Sequence, residues 1–191
     1  DYSSRISFTN SQRDGIQQNS EAVRRFLAVK TAFKPADWMN VSLDYKYTYR
    51  FNHNGAQEGY GGSRNVMHEY LQWGQTQVDL KDYKDYLRPD GSWRTWNVKS
   101  PTNFAANFHD NPYALFDKAN VNSTYRWNVF TGNVQFLLPY NLKAGVNVIG
   151  NMRAHESESK YADGSINFSS YFYTEQGHVS DLTVQGSLTW N

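Results

Sequence analysis

Residues 41–51 read VSLDYKYTYRF, and this stretch decides the fold class. Its odd positions carry Val41, Leu43, three tyrosines and Phe51, whereas its even positions carry Ser, Asp, Lys, Thr and Arg. Because successive side chains of a β-strand point to opposite faces, this pattern predicts a strand with one apolar and one polar face. A helix would place Asp44 and Lys46 among the apolar side chains, so a helix is not expected here.

The same alternation occurs in other parts of the chain. Apolar and polar residues alternate at 23–33, 130–138, 142–152 and 180–190, and less clearly at 2–8 and 166–174. Arg25 interrupts one apolar series near its end, where a long side chain can reach out of an apolar layer. We therefore predict about seven strands.

The composition is unusual for an ordinary soluble domain. The 191 residues are 16% aromatic and only 19% charged, yet the mean hydropathy is −0.77. No stretch approaches the roughly 18–20 consecutive apolar residues that a membrane-spanning helix requires. A polar, aromatic-rich chain of this kind can enter a membrane only as alternating strands.

Strand length agrees with a membrane barrel. An 11-residue strand such as 41–51 is about 36 Å long at ~3.3 Å per residue, and a tilt of ~45° reduces its height to about 25 Å. That height matches the apolar band of outer-membrane barrels, whereas strands of soluble proteins usually have about 5–6 residues.

The connections between the predicted strands alternate in length. Long connections at 10–21, 52–121 and 155–165 alternate with short ones at 34–38, 139–141 and Glu175-Gln176-Gly177. In an up-and-down barrel, alternate connections lie on opposite sides of the membrane, with short periplasmic turns and long external loops. The chain is therefore predicted to be all-β, an antiparallel up-and-down transmembrane β-barrel. Bacterial barrels close with an even number of strands, so about seven strands predict a barrel present only in part.

Aromatic residues are expected at the membrane boundaries. Trp38 and Tyr140 mark the short-turn ends of the predicted strands, and Phe51, Trp127 and Trp190 mark the long-loop ends. Amphipathic rings prefer the membrane–water interface, although aromatic residues are also common in strands generally. Between these limits the predicted lipid-facing residues are Val41, Leu43, Tyr45, Tyr47, Phe136, Val146, Val148, Leu182 and Val184.

Three stretches resemble a known family. They are RISFTNSQRDGIQQNSEAVRR at 5–25, LKDYKD at 80–85 and DNPYALFDKANVNSTYRWNVFTGNVQFLLPYNLKAGVNVIG at 110–150, where NPY leads into strand, short turn and strand. Together they resemble the β-barrel of SusC-like (RagA-like) TonB-dependent outer-membrane transporters.

The resemblance implies both a location and a function. Residues 1–191 would be part of one larger barrel domain in the bacterial outer membrane, with 52–121 as a long extracellular loop. The family's plug domain and TonB box have no counterpart in this sequence. The family imports glycan or peptide fragments, driven by the TonB complex, with a SusD-like surface lipoprotein as a lid.

Catalytic and metal-binding patterns are not found in the sequence. There is no cysteine, which excludes disulfides, thiolate metal sites and cysteine nucleophiles, and the net charge of +1 does not favour nucleic acid. The five histidines lack zinc-site spacing, and there is no nucleophile elbow or phosphate-binding loop. Asp79, Asp82 and Asp85 have a spacing more typical of a solvated helical face than of a calcium loop. We expect no enzymatic activity, no cofactor and no metal.

Ligand contact is expected in the long loop. Its candidate residues are Tyr60, Trp73, Trp93, Trp96, Phe108 and Tyr113. Flat rings near Asn and Asp would stack on sugars or hold a peptide. Alternatively, so long a loop needs its own small hydrophobic core, and these rings would form it.

A rival interpretation is a soluble β-rich carbohydrate-binding module, which would also be rich in Trp and Tyr. A third is a small structural barrel without transport. The first two differ over the apolar face of 41–51, which a second sheet would bury in a module and which lipid would cover in a barrel.

Overall fold

The structure, a computed structural model, describes residues 1–55, 57 and 64–190. Six long strands make its main sheet: β1 (Tyr2–Asp14), β2 (Glu21–Ala36), β3 (Met39–His53), β6 (Ala119–Leu138), β7 (Leu142–Tyr161) and β8 (Tyr171–Trp190). Between β3 and β6 lie α1 (Val66–Trp73), a 3₁₀ helix (Leu80–Tyr83), the short strands β4 (Val98–Ser100) and β5 (Asn103–Ala106), and α2 (Pro112–Lys118).

The main sheet is antiparallel throughout, with the strand order β1-β2-β3-β6-β7-β8. Every long strand therefore pairs with the long strand that precedes it in the chain, which is up-and-down connectivity. The described residues form an open sheet with β1 and β8 at its edges, while β4 and β5 form a separate hairpin. The all-β prediction is confirmed at this level.

The predicted count of seven long strands is wrong, because β8 is continuous. Residues 175–177, predicted as a tight turn, pair in register with Ser157, Glu156 and His155 of β7. The loop predicted at 155–165 begins later, since β7 extends to Tyr161, and the strand predicted at 166–174 is mostly a loop. Residues 155–160 and 174–178 are polar on both faces, so backbone pairing between β7 and β8 extends past the point where sequence alternation stops.

Strand ends also differ elsewhere from the prediction. β1 extends to Asp14, which shortens the first connection to 15–20, and β2 extends to Ala36, which leaves only 37–38 as the next turn. The longest connection is 54–118 because β6 begins at Ala119. The alternation of lengths survives: 15–20, 54–118 and 162–170 lie at one end of the sheet, the loop end, and 37–38 and 139–141 at the other, the turn end.

The strand register gives the sheet two chemically different faces. Val41 of β3 lies between Phe33 of β2 and Val134 of β6, and Val134 pairs in turn with Val146 of β7. We call this side the apolar face. The opposite side carries Ser42, whose partners are Ala32 and Asn133, and we call it the polar face.

A small hydrophobic core lies at the loop end instead of on the sheet. It contains Val66, Trp93, Ala114, Leu115 and Ala119, with Tyr86, Phe116, Tyr161 and Phe168 packed against it. This core joins the long connection to the ends of β6 and β7, so the loop segment is itself folded.

Candidate functional site

All nine residues predicted to face lipid lie on the apolar face. The register aligns Tyr45 with Phe130, and Val148 with Val184, and the remaining positions follow the same alternation. Several of these side chains are open to the exterior: Leu43 is 49% exposed and Val146 42%. Because β3 and β7 each have a neighbouring strand on both sides, this exposure comes from an uncovered face and not from a sheet edge.

The apolar face has a limited height. On β7 its apolar residues run from Leu142 to Met152, which is roughly 36 Å along the strand at ~3.3 Å per residue. Closer to the loop end the same face becomes charged, where Arg126 Nη1 lies 2.9 Å from Glu156 Oε1. The apolar surface is therefore a band at the turn-end half of the sheet.

One glycine within this apolar band leaves room for a neighbouring ring. The ring of Phe130 lies across Gly150, where a Cβ atom would come within 2.5 Å of it. Glycine at this position therefore allows Phe130 to lie flat on the sheet and contribute to the apolar surface, at 39% exposure.

Aromatic residues border the band at the turn end. Trp38 stacks on Phe136 with 6.1 Å between ring centroids, and Trp190 Nε1 donates a hydrogen bond of 2.9 Å to the carbonyl oxygen of Tyr140. Trp190 was predicted at a long-loop end; it lies at the turn end because β8 has no turn at 175–177 and Trp190 pairs with Leu142. Phe51 lies near the loop end of β3, as expected.

Trp127 is also placed differently from the prediction. It lies in mid-strand on the polar face, opposite Thr48, and not at a long-loop end. Its Nε1 donates to Asn151 Oδ1 at 2.6 Å, and Arg153 lies over its ring at 5.3 Å. Residues 119–129 carry their apolar side chains at odd positions, whereas 130–138 carry them at even positions, so the larger rings of the first half of β6 lie on the polar face.

Three arginines that the sequence analysis did not single out lie near one another on the polar face. Arg24 of β2 is directly opposite Arg50 of β3, and Arg13 of β1 lies beside Ala22. With six further residues they line an open groove of about 560 Å³. Alternation in the sequence places Arg24 and Arg50 on the polar face, but only the strand register shows that Arg13, Arg24 and Arg50 lie next to one another.

The predicted ligand-contact rings divide into buried and exposed groups. Trp93 (3% exposed) and Trp96 (7% exposed) are buried, so they belong to the interior of the loop segment and not to a contact surface. Trp73 and Phe108 are 51% and 66% exposed, and Tyr113 is half-buried. Tyr60 lies outside the described residues. Trp73 and Trp96 both stack on His109, with 6.0 and 5.5 Å between ring centroids. Because Trp96 is buried and Trp73 is exposed, the two rings do not form one contact surface.

Asn111 organises the loop segment. Its side-chain oxygen accepts hydrogen bonds from the backbone N–H groups of Tyr113 and Ala114, and so caps α2. Its amide nitrogen donates to the carbonyl oxygens of Tyr83 and Arg94, at 2.8 and 2.7 Å. The sequence NPY, predicted to lead into a strand, therefore begins a short helix, which is the usual result of a capping Asn followed by Pro.

Asp110 ties this segment to the connection between β7 and β8. Its carboxylate is 2% exposed and accepts hydrogen bonds from Ser165 Oγ (2.6 Å), the Ile166 N–H (3.1 Å) and Asn167 Nδ2 (3.1 Å). Because a buried carboxylate needs such partners, the two longest connections are held together at the loop end.

Several titratable groups of the loop segment have structural partners. Burial raises the pKa of Tyr86, and the nearby Asp117 carboxylate, which accepts a hydrogen bond of 3.1 Å from the Tyr86 hydroxyl, raises this pKa further. Hydrogen bonds from Ser92 lower the pKa of Asp90. Asp79 caps the 3₁₀ helix by accepting from the Lys81 N–H.

Within the described ranges, no cluster of three or more His, Cys, Asp or Glu side chains could hold a metal ion. None of the helices in the part of the chain that the structure describes is both long and apolar enough to cross a membrane.

No protein-family model fits the chain, and no curated protein is significantly similar to it.

Proposed function

We propose that this chain forms part of the wall of a bacterial outer-membrane β-barrel that imports nutrients in a TonB-dependent manner. The observation that carries the proposal is the uncovered apolar face, which crosses all six long strands at one height. Its central members Leu43 and Val146 are 49% and 42% exposed although they lie on interior strands. Lipid would remove these side chains from water without a second layer of protein.

The height and borders of the band support the same proposal. With the ~45° tilt of strands in membrane barrels, an apolar stretch of roughly 36 Å would have a height of about 25 Å, which corresponds to a bilayer core. Trp38, Tyr140 and Trp190 at the turn end suit the membrane–water interface, where the apolar body and the polar tip of a ring are both satisfied. In lipid, the edge strands β1 and β8 would need further strands of the barrel as partners.

The loops suggest an orientation. The short turns at 37–38 and 139–141 would lie in the periplasm, and the folded segment 54–118 would lie outside the cell. The polar face would then line an aqueous lumen. The resemblance to SusC-like transporters adds the substrate class, glycan or peptide fragments, and the partners, a SusD-like lipoprotein and the TonB complex.

The rival function is a soluble carbohydrate-binding module, and the exposed rings of Trp73 and Phe108 are compatible with it. Such a module would bury the apolar face against a second sheet. The two functions therefore predict different surroundings for the same side chains.

Single-cysteine labelling distinguishes these surroundings. The chain has no cysteine, so Val146→Cys and Asn147→Cys in the whole protein each introduce one thiol, on adjacent residues of opposite faces. In native membranes, we expect a water-soluble, membrane-impermeant maleimide to modify Asn147→Cys much faster than Val146→Cys, because thiolate does not form in hydrocarbon. Similar rates at both positions, or recovery of the protein in the detergent-free soluble fraction, would exclude the proposed function.

A further inference from the structure

We infer that the arginine groove on the polar face, lined by Arg13, Arg24 and Arg50, binds a carboxylate group of the ligand. Arginines from three adjacent strands line one open groove of about 560 Å³. A guanidinium group binds a carboxylate through two parallel hydrogen bonds (bidentate geometry), and it stays charged at every physiological pH.

The placement of these charges is unfavourable without a ligand. Arg24 and Arg50 are direct cross-strand partners, and like charges in that relation destabilise a sheet. Within the described parts of the chain, none of the three arginines forms an ion pair. An anion between them would convert this repulsion into attraction.

The acidic residues of the neighbouring strands are turned away or distant. Asp14 and Glu21 pair with each other on the apolar face, and Glu21 accepts a hydrogen bond from Gln12 at 2.7 Å. On the polar face of β3 the acidic residue is Asp44, which is six positions from Arg50, roughly 20 Å along the strand. Asp44 lies 3.7 Å from the Lys46 ammonium group.

The remaining lining of the groove suits a polar ligand. Thr9, Ser11 and Asn52 supply hydroxyl and amide groups, and Phe26 forms an apolar patch. Further along the same row of the sheet, Arg50 is opposite Tyr125, whose ring stacks on His155 at 4.3 Å. Tyr125 is 47% exposed, so a ligand held by the arginines could extend over an aromatic surface.

This inference rests on the proposed function, because it assigns the polar face to the lumen through which the ligand passes. It adds the ligand chemistry: a carboxylate, carried either by an acidic glycan or by an acidic peptide. The two sources share the group that the arginines recognise, and binding experiments can distinguish them.

The test measures binding of three probes to the whole protein, purified in detergent, by isothermal titration calorimetry. The probes are tetragalacturonate, tetraglutamate and the uncharged maltotetraose. The variants are Arg24→Gln and Arg50→Gln in the groove. Two controls remove the same charge elsewhere: Arg25→Gln on the apolar face, next to Arg24 in sequence, and Arg5→Gln on the polar face of β1, six positions from Ser11 of the groove.

We expect at least one carboxylate probe to bind, and each groove variant to weaken it about tenfold or more, as loss of one charge-assisted contact would. The control variants should bind as the unmodified protein does, and binding should weaken with added salt. Preference for tetragalacturonate would identify a glycan ligand, and preference for tetraglutamate a peptide ligand. Equal binding of both would show that the carboxylate alone is recognised.

The inference is overturned if neither carboxylate probe binds, if maltotetraose binds equally well, or if Arg25→Gln weakens binding as much as Arg24→Gln. Its failure differs from failure of the proposed function. A protein located in the membrane that binds no carboxylate refutes the groove alone, whereas a protein recovered without detergent refutes the barrel whatever it binds.

Discussion

Leu43→Arg tests whether the apolar face meets lipid or water. Leu43 is 49% exposed in the apolar band, and its cross-strand partners are Thr31 and Gly132. Neither partner has a carboxylate, and Asp44 next in sequence points to the other face. On β2 and β6 the acidic residue is Glu21, ten positions from Thr31 along β2, so an arginine here would have no counter-charge within reach.

The expected cost differs between the two environments. In water, replacing a half-exposed leucine would cost up to ~1 kcal/mol, about half the value of full burial, and the arginine stem would cover part of the same surface. At the midplane of a bilayer, a barrel residue changed to arginine costs about 2–4 kcal/mol. We therefore expect the folding equilibrium constant in membranes to fall about 30- to 1000-fold, since ~1.4 kcal/mol is a factor of ten.

Urea unfolding of the whole protein from lipid vesicles, followed by tryptophan fluorescence, would measure this cost. Ser42→Arg is the matched control, because it adds the same side chain one residue away on the polar face. That variant should change the free energy of unfolding by less than about 1 kcal/mol. If Leu43→Arg costs no more than Ser42→Arg, the apolar face does not meet hydrocarbon, and our reasoning about the fold's environment is wrong.

The loop segment gives three further predictions. Asn111→Ala should destabilise the segment by about 1–3 kcal/mol, because two carbonyl oxygens and the N-terminus of α2 lose their hydrogen-bond partner. The control Asp79→Ala, at an exposed helix cap, should cost about 1 kcal/mol or less. Thermal unfolding measures both changes. Asp110→Ala should speed hydrogen exchange of residues 162–170 and leave exchange in β2 unchanged; equal rates would show that its hydrogen bonds do not hold the connections together. The raised pKa of Tyr86 means that its stabilising effect is complete below its ordinary pKa of 10.0 and is lost as the pH rises through the higher folded-state value. Tyr86→Phe should therefore lose less stability than the unmodified protein as the pH rises above 10.0, and parallel curves would refute the assignment.

Alternation predicted most of what is regular in the sheet. It gave strand type and facing for 23–33, 41–51, 130–138 and 142–152, because a sheet with one apolar face imposes a two-residue period. It failed where both faces are polar. Residues 155–160 and 174–178 resemble loops in composition, yet they belong to the outer parts of β7 and β8, which pair with each other.

The candidate sites were predicted less well, because they depend on contacts between distant segments. Aromatic residues in 52–121 could be recognised as a set, but only packing separates buried Trp93 and Trp96 from exposed Trp73 and Phe108. The arginine groove was not predicted at all. Arg13, Arg24 and Arg50 are far apart in the sequence, and each by itself resembles an ordinary solvated charge.

The sequence by itself determined that this protein is an antiparallel β-sheet with one apolar and one polar face, since the period of side-chain facing is a local property of extended backbone. Tertiary structure alone decided the length of β8, the buried or exposed state of the loop rings and the meeting of three arginines. Those features depend on cross-strand register and on packing between segments, which residues adjacent in sequence do not specify.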